Sequence, residues 1–81
     1  MDDAELLQRI ENLVNEEHHL TQRGEEEGGL NGEEHARMKA IEVNLDQCWD
    51  LLRQRRARRS AGLNPDEAKA RDESTVEHFL Q

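Results

Sequence analysis

The sequence MKAIEVNLDQCWDLL, at residues 38–52, repeats its apolar side chains at steps of three and four. The repeating positions are Met38, Ile41, Leu45, Cys48 and Leu52. This heptad spacing places all five side chains on one side of an α-helix. Neither Gly nor Pro interrupts residues 33–61, and Gly62 follows. The pattern predicts a helix over about residues 32–61. It also predicts that Cys48 is a buried, inert core residue and not a nucleophile, because burial raises the pKa of a thiol.

A second apolar stripe with the same helical period lies near the N-terminus. Its members are Leu6, Leu7, Ile10, Leu13, Val14 and Leu20. Asp2 or Asp3 can cap the free N–H groups at the start of this helix, where the helix dipole also favours an acidic side chain. Gly24 can adopt the left-handed conformation that ends a helix. The pattern therefore predicts a shorter first helix over about residues 3–23.

Glycines and consecutive glutamates occupy the connection between the two predicted helices, residues 24–31. Such a run is flexible and self-repelling, as is typical of a solvent-exposed loop. Asn31 and Glu34 have the spacing of a capping box at the start of the second helix. We therefore expect an all-α fold in which residues 1–62 form an antiparallel two-helix hairpin, with the second helix longer. The glycines argue against the alternative, one extended coiled coil.

Residues 63–81 are predicted to form a C-terminal tail with short helical turns. Asn64 and Pro65 give a cap and a first-turn proline. Ser74 and Glu77 have the spacing of a further capping box, which precedes the apolar side chains of this segment. Those side chains are Val76, Phe79 and Leu80. Helical turns this short need a surface to dock against.

The composition excludes several classes of protein. The 81 residues include 11 Lys+Arg and 19 Asp+Glu, for a net charge of -8, and the mean hydropathy is -1.10. A membrane span would need about 18 apolar residues in a row, and a single cysteine cannot form an internal disulfide. The start of the chain has no charged-then-apolar leader, so we expect a cytoplasmic protein. The sequence contains no catalytic signature, and it predicts a non-enzymatic protein with no cofactor and no evident small-molecule substrate.

One possible metal motif is present. Glu16 and His19 have the Glu-x-x-His spacing of di-iron helical bundles, and a homodimer would supply the motif twice. On a helical wheel both side chains point away from the apolar stripe, whereas a bundle-core metal site needs them to point inward. We therefore predict no metal ligands.

The charge is unevenly distributed along the chain. Residues 1–52 contain 4 basic and 14 acidic side chains, and residues 53–81 contain 7 basic and 5 acidic ones. A run of five arginines begins the basic part: Arg53, Arg55, Arg56, Arg58 and Arg59. The apolar stripe of the second helix continues onto Arg55 and Arg59. In an antiparallel hairpin the arginines that extend beyond the first helix can meet the acidic N-terminus around Asp2 and Asp3, the acidic tail or a partner chain.

The sequence predicts a protein that acts by association, because its apolar residues are few and lie on both flanks of the second helix. The candidate interaction surface is Trp49, Leu51, Arg53, Arg55, Arg56, Arg58 and Arg59. Trp49 is expected to pack against Leu6 and Leu7. A homodimer would form a four-helix bundle; the alternatives are an unidentified protein partner and a tail that covers the same surface within one chain.

A different class of function is a small nucleic-acid-binding or regulatory protein that uses the arginine stripe, residues 53–59, to neutralise phosphates. A net charge of -8 and the lack of interleaved aromatic residues make nucleic acid the less favoured partner.

The segment EVNLDQCWDLLRQRRA, residues 42–57, resembles a family of short bacterial proteins, mainly actinobacterial, catalogued as a domain of unknown function. Shorter matches extend the resemblance over nearly the whole chain. They are MDD at 1–3, EEH at 16–18, GGL at 28–30, NPDEA at 64–68 and VE at 76–77. The resemblance implies a small cytoplasmic bacterial protein, and it brings no activity, ligand or catalytic residue.

Overall fold

The computed structural model describes residues 1–71 and contains two long helices. Helix α1 spans Asp3–Glu27, and helix α2 spans Gly32–Ser60. The two helices pack against each other as an antiparallel hairpin, and a single 3-10 turn at Pro65–Glu67 follows. Within residues 1–71 there is no strand. The prediction of an all-α hairpin with a longer second helix is confirmed.

The ends of the helices follow from local chemistry. The Asp2 carboxylate accepts a hydrogen bond from the backbone N–H of Glu5 at 2.8 Å, and so caps α1. At the start of α2 the predicted capping box is present. The Glu34 N–H donates to Asn31 Oδ1 at 2.8 Å, and the Asn31 N–H donates to the Glu34 carboxylate at 3.0 Å.

Helix α1 continues about one turn beyond its predicted end at residue 23. Gly28 takes the left-handed conformation instead of Gly24, with φ of 78°. Gly24 has a different role: a Cβ atom at this position would lie 3.1 Å from Leu30 Cδ2, so the absence of a side chain lets the connection pack closely on the helix. The predicted end was wrong because two glycines can each end a helix, and this packing decides between them.

The core forms where the two predicted stripes meet. Its buried members are Leu6, Ile10, Leu13, Leu20, Ile41, Leu45, Cys48 and Leu52. Val14, Met38 and Leu51 are partly buried against this cluster. The predicted burial of Cys48 is confirmed, with 7% of the residue exposed.

After α2 the chain reverses direction at Gly62, whose φ is 74°. Asn64 caps the 3-10 turn by accepting a hydrogen bond from the N–H of Asp66 at 2.9 Å, and Pro65 occupies the first position, as predicted. Side chains of α2 then hydrogen-bond to the returning chain as far as Arg71. The predicted capping box at 74–77 and the apolar residues beyond it lie outside the described residues.

Candidate functional site

Two of the arginines hold the free ends of the hairpin together. Arg55 Nε donates to Asp3 Oδ1 at 2.6 Å, and Arg59 Nη2 donates to Asp3 Oδ2 at 2.9 Å. Arg55 is only 5% exposed, and its Nη1 also donates to Asp66 Oδ1 at 3.0 Å. Of the partners expected for these arginines, the structure shows the acidic N-terminus at Asp3 and the tail at Asp66. Asp2 caps α1 instead.

A row of polar side chains on α2 binds the returning chain, and we name it the tail clamp. Its residues are Gln47, Asp50, Gln54 and Arg58. Arg58 donates to the carbonyl oxygen of Asn64 and to the Glu67 carboxylate, at 2.7 Å each. Gln54 donates to the carbonyl oxygen of Lys69 at 2.8 Å.

Asp50 is the most buried member of the tail clamp, with 2% of the residue exposed. Arg71 binds it in a bidentate manner, donating from Nε to Oδ2 at 2.9 Å and from Nη2 to Oδ1 at 2.7 Å. Gln54 adds a third hydrogen bond to this carboxylate at 3.0 Å. A buried carboxylate needs such partners. No local pattern marks Asp50, because its partner Arg71 is 21 residues away along the chain.

These contacts show which arginines of the candidate interaction surface are paired within the chain. Arg55, Arg58 and Arg59 bind other parts of their own chain, so they are not available as a continuous cationic stripe. Arg53 and Arg56 are exposed, and their side chains have no hydrogen bond or ion pair within residues 1–71. Successive residues are rotated by about 100° around α2. This rotation decides which arginines face the rest of the chain and which face away from it.

Trp49 and Leu51 lie on opposite flanks of α2. Leu51 is partly buried and, with Leu6, Cys48 and Ala70, lines an apolar groove on the side of the tail clamp. Trp49 points away from that side and is 41% exposed. Trp49 was expected to pack against Leu6 and Leu7, and the structure leaves it only partly covered because it lies about 100° around the helix from Cys48.

An exposed leucine of α1 lies beside Trp49. The register of the hairpin is set by two ion pairs, Asp3–Arg55 and Glu16–Arg37. Counting between them places Leu7, which is 45% exposed, at the level of Trp49. Leu7 and Trp49 each come one residue after a buried core residue. In an antiparallel pair of helices this step of about 100° turns both side chains to the same side of the hairpin. We name this side the open face, and its residues are Leu7, Glu42, Asp46, Trp49, Arg53 and Arg56.

Residues 2–81 match the family described as "Protein of unknown function (DUF2630)". The chain belongs to this family. It is 46% identical over 77 residues to "Uncharacterized protein Mb0922c" of Mycobacterium bovis and to "Uncharacterized protein Rv0898c" of Mycobacterium tuberculosis H37Rv. In each case the match covers 95% of this chain and 88% of the relative. No solved structure matches the chain. The resemblance seen in the sequence is confirmed, and the family description assigns no activity.

In this member of DUF2630 the glutamate of the possible metal motif pairs with an arginine of α2. Glu16 accepts hydrogen bonds from Arg37, one of them at 2.6 Å from Nη2. These bonds keep the pKa of the Glu16 carboxyl below its ordinary value. Among residues 1–71 no group of three or more His, Cys, Asp or Glu side chains is placed to hold a metal ion. In the same part of the chain no helix is long and apolar enough to cross a membrane.

The ion pairs at Asp3 predict how the stability of the hairpin changes with pH. Hydrogen bonds from Arg55, and next from Arg59, hold the pKa of the Asp3 carboxyl below its ordinary value. Such a carboxyl stabilises the fold above its unfolded pKa, and the contribution is lost as the pH falls through the folded pKa. The melting temperature should therefore fall between about pH 5 and pH 2, and it should fall less in Asp3→Asn.

Asp2→Asn is the matched control, since Asn caps a helix about as well as Asp. Circular dichroism melts of the native chain and both variants measure the effect. Asp3→Asn should be less stable than the native chain at pH 7, with the two curves converging in acid. Parallel curves at every pH would contradict the role assigned to Asp3.

Proposed function

We propose that this protein is a non-enzymatic helical association protein, and that its open face binds a second copy to form a homodimer. The observation that carries the proposal is the exposure of Trp49, 41%, next to two arginines without partners in residues 1–71. Trp and Arg are the residue types that most often dominate binding energy at protein interfaces. An exposed apolar patch with a polar rim is typical of such an interface.

The opposite side of the hairpin is a poorer candidate. There the tail clamp already binds residues 64–71, so a partner would have to displace hydrogen bonds and ion pairs that the chain makes with itself. The open face requires no such displacement. Its exposed apolar side chains are Leu7 and Trp49. Their removal from water by a partner is favourable and stabilises the complex.

Binding to nucleic acid has less support than protein association. Only Arg53 and Arg56 of the five arginines remain without a partner in the described chain. Glu42 and Asp46 share the open face with them, and the chain has a net charge of -8. A phosphate backbone would meet net repulsion, since binding to nucleic acid depends on neutralising its charges.

Trp49 is the single tryptophan of the chain, so its fluorescence reports directly on the open face. Between about 1 and 300 µM protein, self-association should shift the emission to shorter wavelength and reduce quenching by neutral acrylamide. Leu7→Ala should weaken both changes, because it removes apolar area beside Trp49. Leu63→Ala is the control, as Leu63 is exposed but lies beyond α2. Emission and quenching that stay constant over this range would contradict the proposal.

A further inference from the structure

Charges of opposite sign lie on either side of Trp49 along α2. Glu42 and Asp46 precede it by seven and three residues, and Arg53 and Arg56 follow it by four and seven. These steps keep all four side chains within about 60° of Trp49 around the helix. Asp46 is half-buried and the other three are exposed. None of the four side chains has a hydrogen bond or ion pair within residues 1–71.

We infer that two copies bind with their α2 helices antiparallel and with the two-fold axis beside Trp49. The inference rests on the proposed self-association and specifies its geometry. A two-fold axis at Trp49 places each position after it opposite the matching position before it in the other copy. Arg56 of one copy then faces Glu42 of the second copy, and Arg53 lies one residue, about 1.5 Å along the helix, from the position opposite Asp46. Symmetry repeats both contacts, which gives four ion pairs around two adjoining tryptophans.

The other simple arrangement is unfavourable. If the α2 helices ran parallel across the open face, Arg53 and Arg56 would face the same arginines of the second copy. Glu42 and Asp46 would likewise face Glu42 and Asp46 of the second copy. Juxtaposed like charges oppose association. The order of negative and positive side chains along α2 therefore favours the antiparallel arrangement. Trp49 alone would not distinguish the two arrangements.

The antiparallel arrangement also accounts for Leu7. This residue lies at the same level of the hairpin as Trp49 and on the same side. A two-fold axis that crosses the hairpin at this level therefore brings Leu7 of one copy near Leu7 of the other. The interface then has an apolar centre formed by both helices, and the four ion pairs lie outside it along α2. An apolar centre with a charged rim is the usual organisation of a protein interface.

Two charge-reversal variants test the register. One carries Glu42→Arg and Asp46→Arg, which makes the α2 part of the open face entirely positive. The other carries Arg53→Glu and Arg56→Glu, which makes it entirely negative. The introduced residues, Arg and Glu, favour helix, so the hairpin should fold in both variants, as circular dichroism can verify. Each variant alone should dimerise at least about tenfold more weakly than the native chain, whereas an equimolar mixture should regain association as a heterodimer.

Sedimentation velocity of each variant and of the mixture measures these affinities. Glu25→Arg with Glu26→Arg is the control for the first variant, because it makes the same change in net charge at the other end of the hairpin. A native dimer that neither reversal weakens would overturn the register but leave the proposed function standing. A native chain that stays monomeric would overturn both. Loss in each variant with recovery only in the mixture supports the inference.

Discussion

Replacing Ile41 with alanine should lower the free energy of unfolding by about 3 kcal/mol, because it opens a cavity at a closely packed site. Ile41 is the most completely buried core residue, with 0% exposed, and it lies where the stripes of α1 and α2 meet. A domain of this size has little stability in reserve. We therefore expect Ile41→Ala to be partly unfolded at 37 °C. Urea denaturation followed by circular dichroism measures the change.

Ile41→Val provides a graded comparison, with an expected loss of about 1 kcal/mol. Lys39→Ala lies two residues earlier on the exposed side of α2 and should change stability by less than about 0.5 kcal/mol. If Ile41→Ala cost no more than Lys39→Ala, the two stripes would not form the core that holds the hairpin together.

Replacing Asp50 with alanine should have the second-largest effect, a loss of about 2–3 kcal/mol. The substitution removes three hydrogen bonds to a carboxylate that is 2% exposed. Without the Asp50 carboxylate, the returning chain loses the bidentate ion pair that holds Arg71 on α2. We therefore expect faster proteolysis within residues 61–71 together with the loss of stability, as urea titration and limited trypsin digestion can show.

A double-mutant cycle with Arg71→Ala isolates the interaction between Asp50 and Arg71. Their coupling energy should be about 1–2 kcal/mol, since residues in one hydrogen-bond network are not independent. Asp50→Asn keeps the shape of the side chain and one acceptor oxygen, so it should cost less than Asp50→Ala. Additive single-mutant effects would contradict the role of this pair in the tail clamp.

Local sequence patterns were sufficient to predict the two helices and their core. Steps of three and four placed Ile41, Leu45 and Cys48 on one stripe, and the capping box located the start of α2. The end of α1 could not be predicted in this way. Gly24 and Gly28 both suit a helix end, and the choice between them depends on the packing of Leu30 against Gly24 in the folded protein.

The site was harder to predict because its contacts join residues that are distant in sequence. Continuing the apolar stripe of α2 past Leu52 identified Arg55 and Arg59, the two arginines that bind Asp3. The partners of Arg58 and Asp50 became visible only once the reversal at Gly62 had brought the returning chain alongside α2. Periodicity placed Trp49 at the edge of the core, but it could not show how much of this side chain α1 leaves exposed.

Sedimentation equilibrium of the full chain is the most direct test of association through the open face. At pH 7, between about 1 and 300 µM, the apparent mass should rise from 9.4 kDa towards twice that value. Trp49→Ala should remain near 9.4 kDa over the same range, while Leu63→Ala should follow the native chain. An apparent mass of 9.4 kDa for the native chain at every concentration would contradict the account.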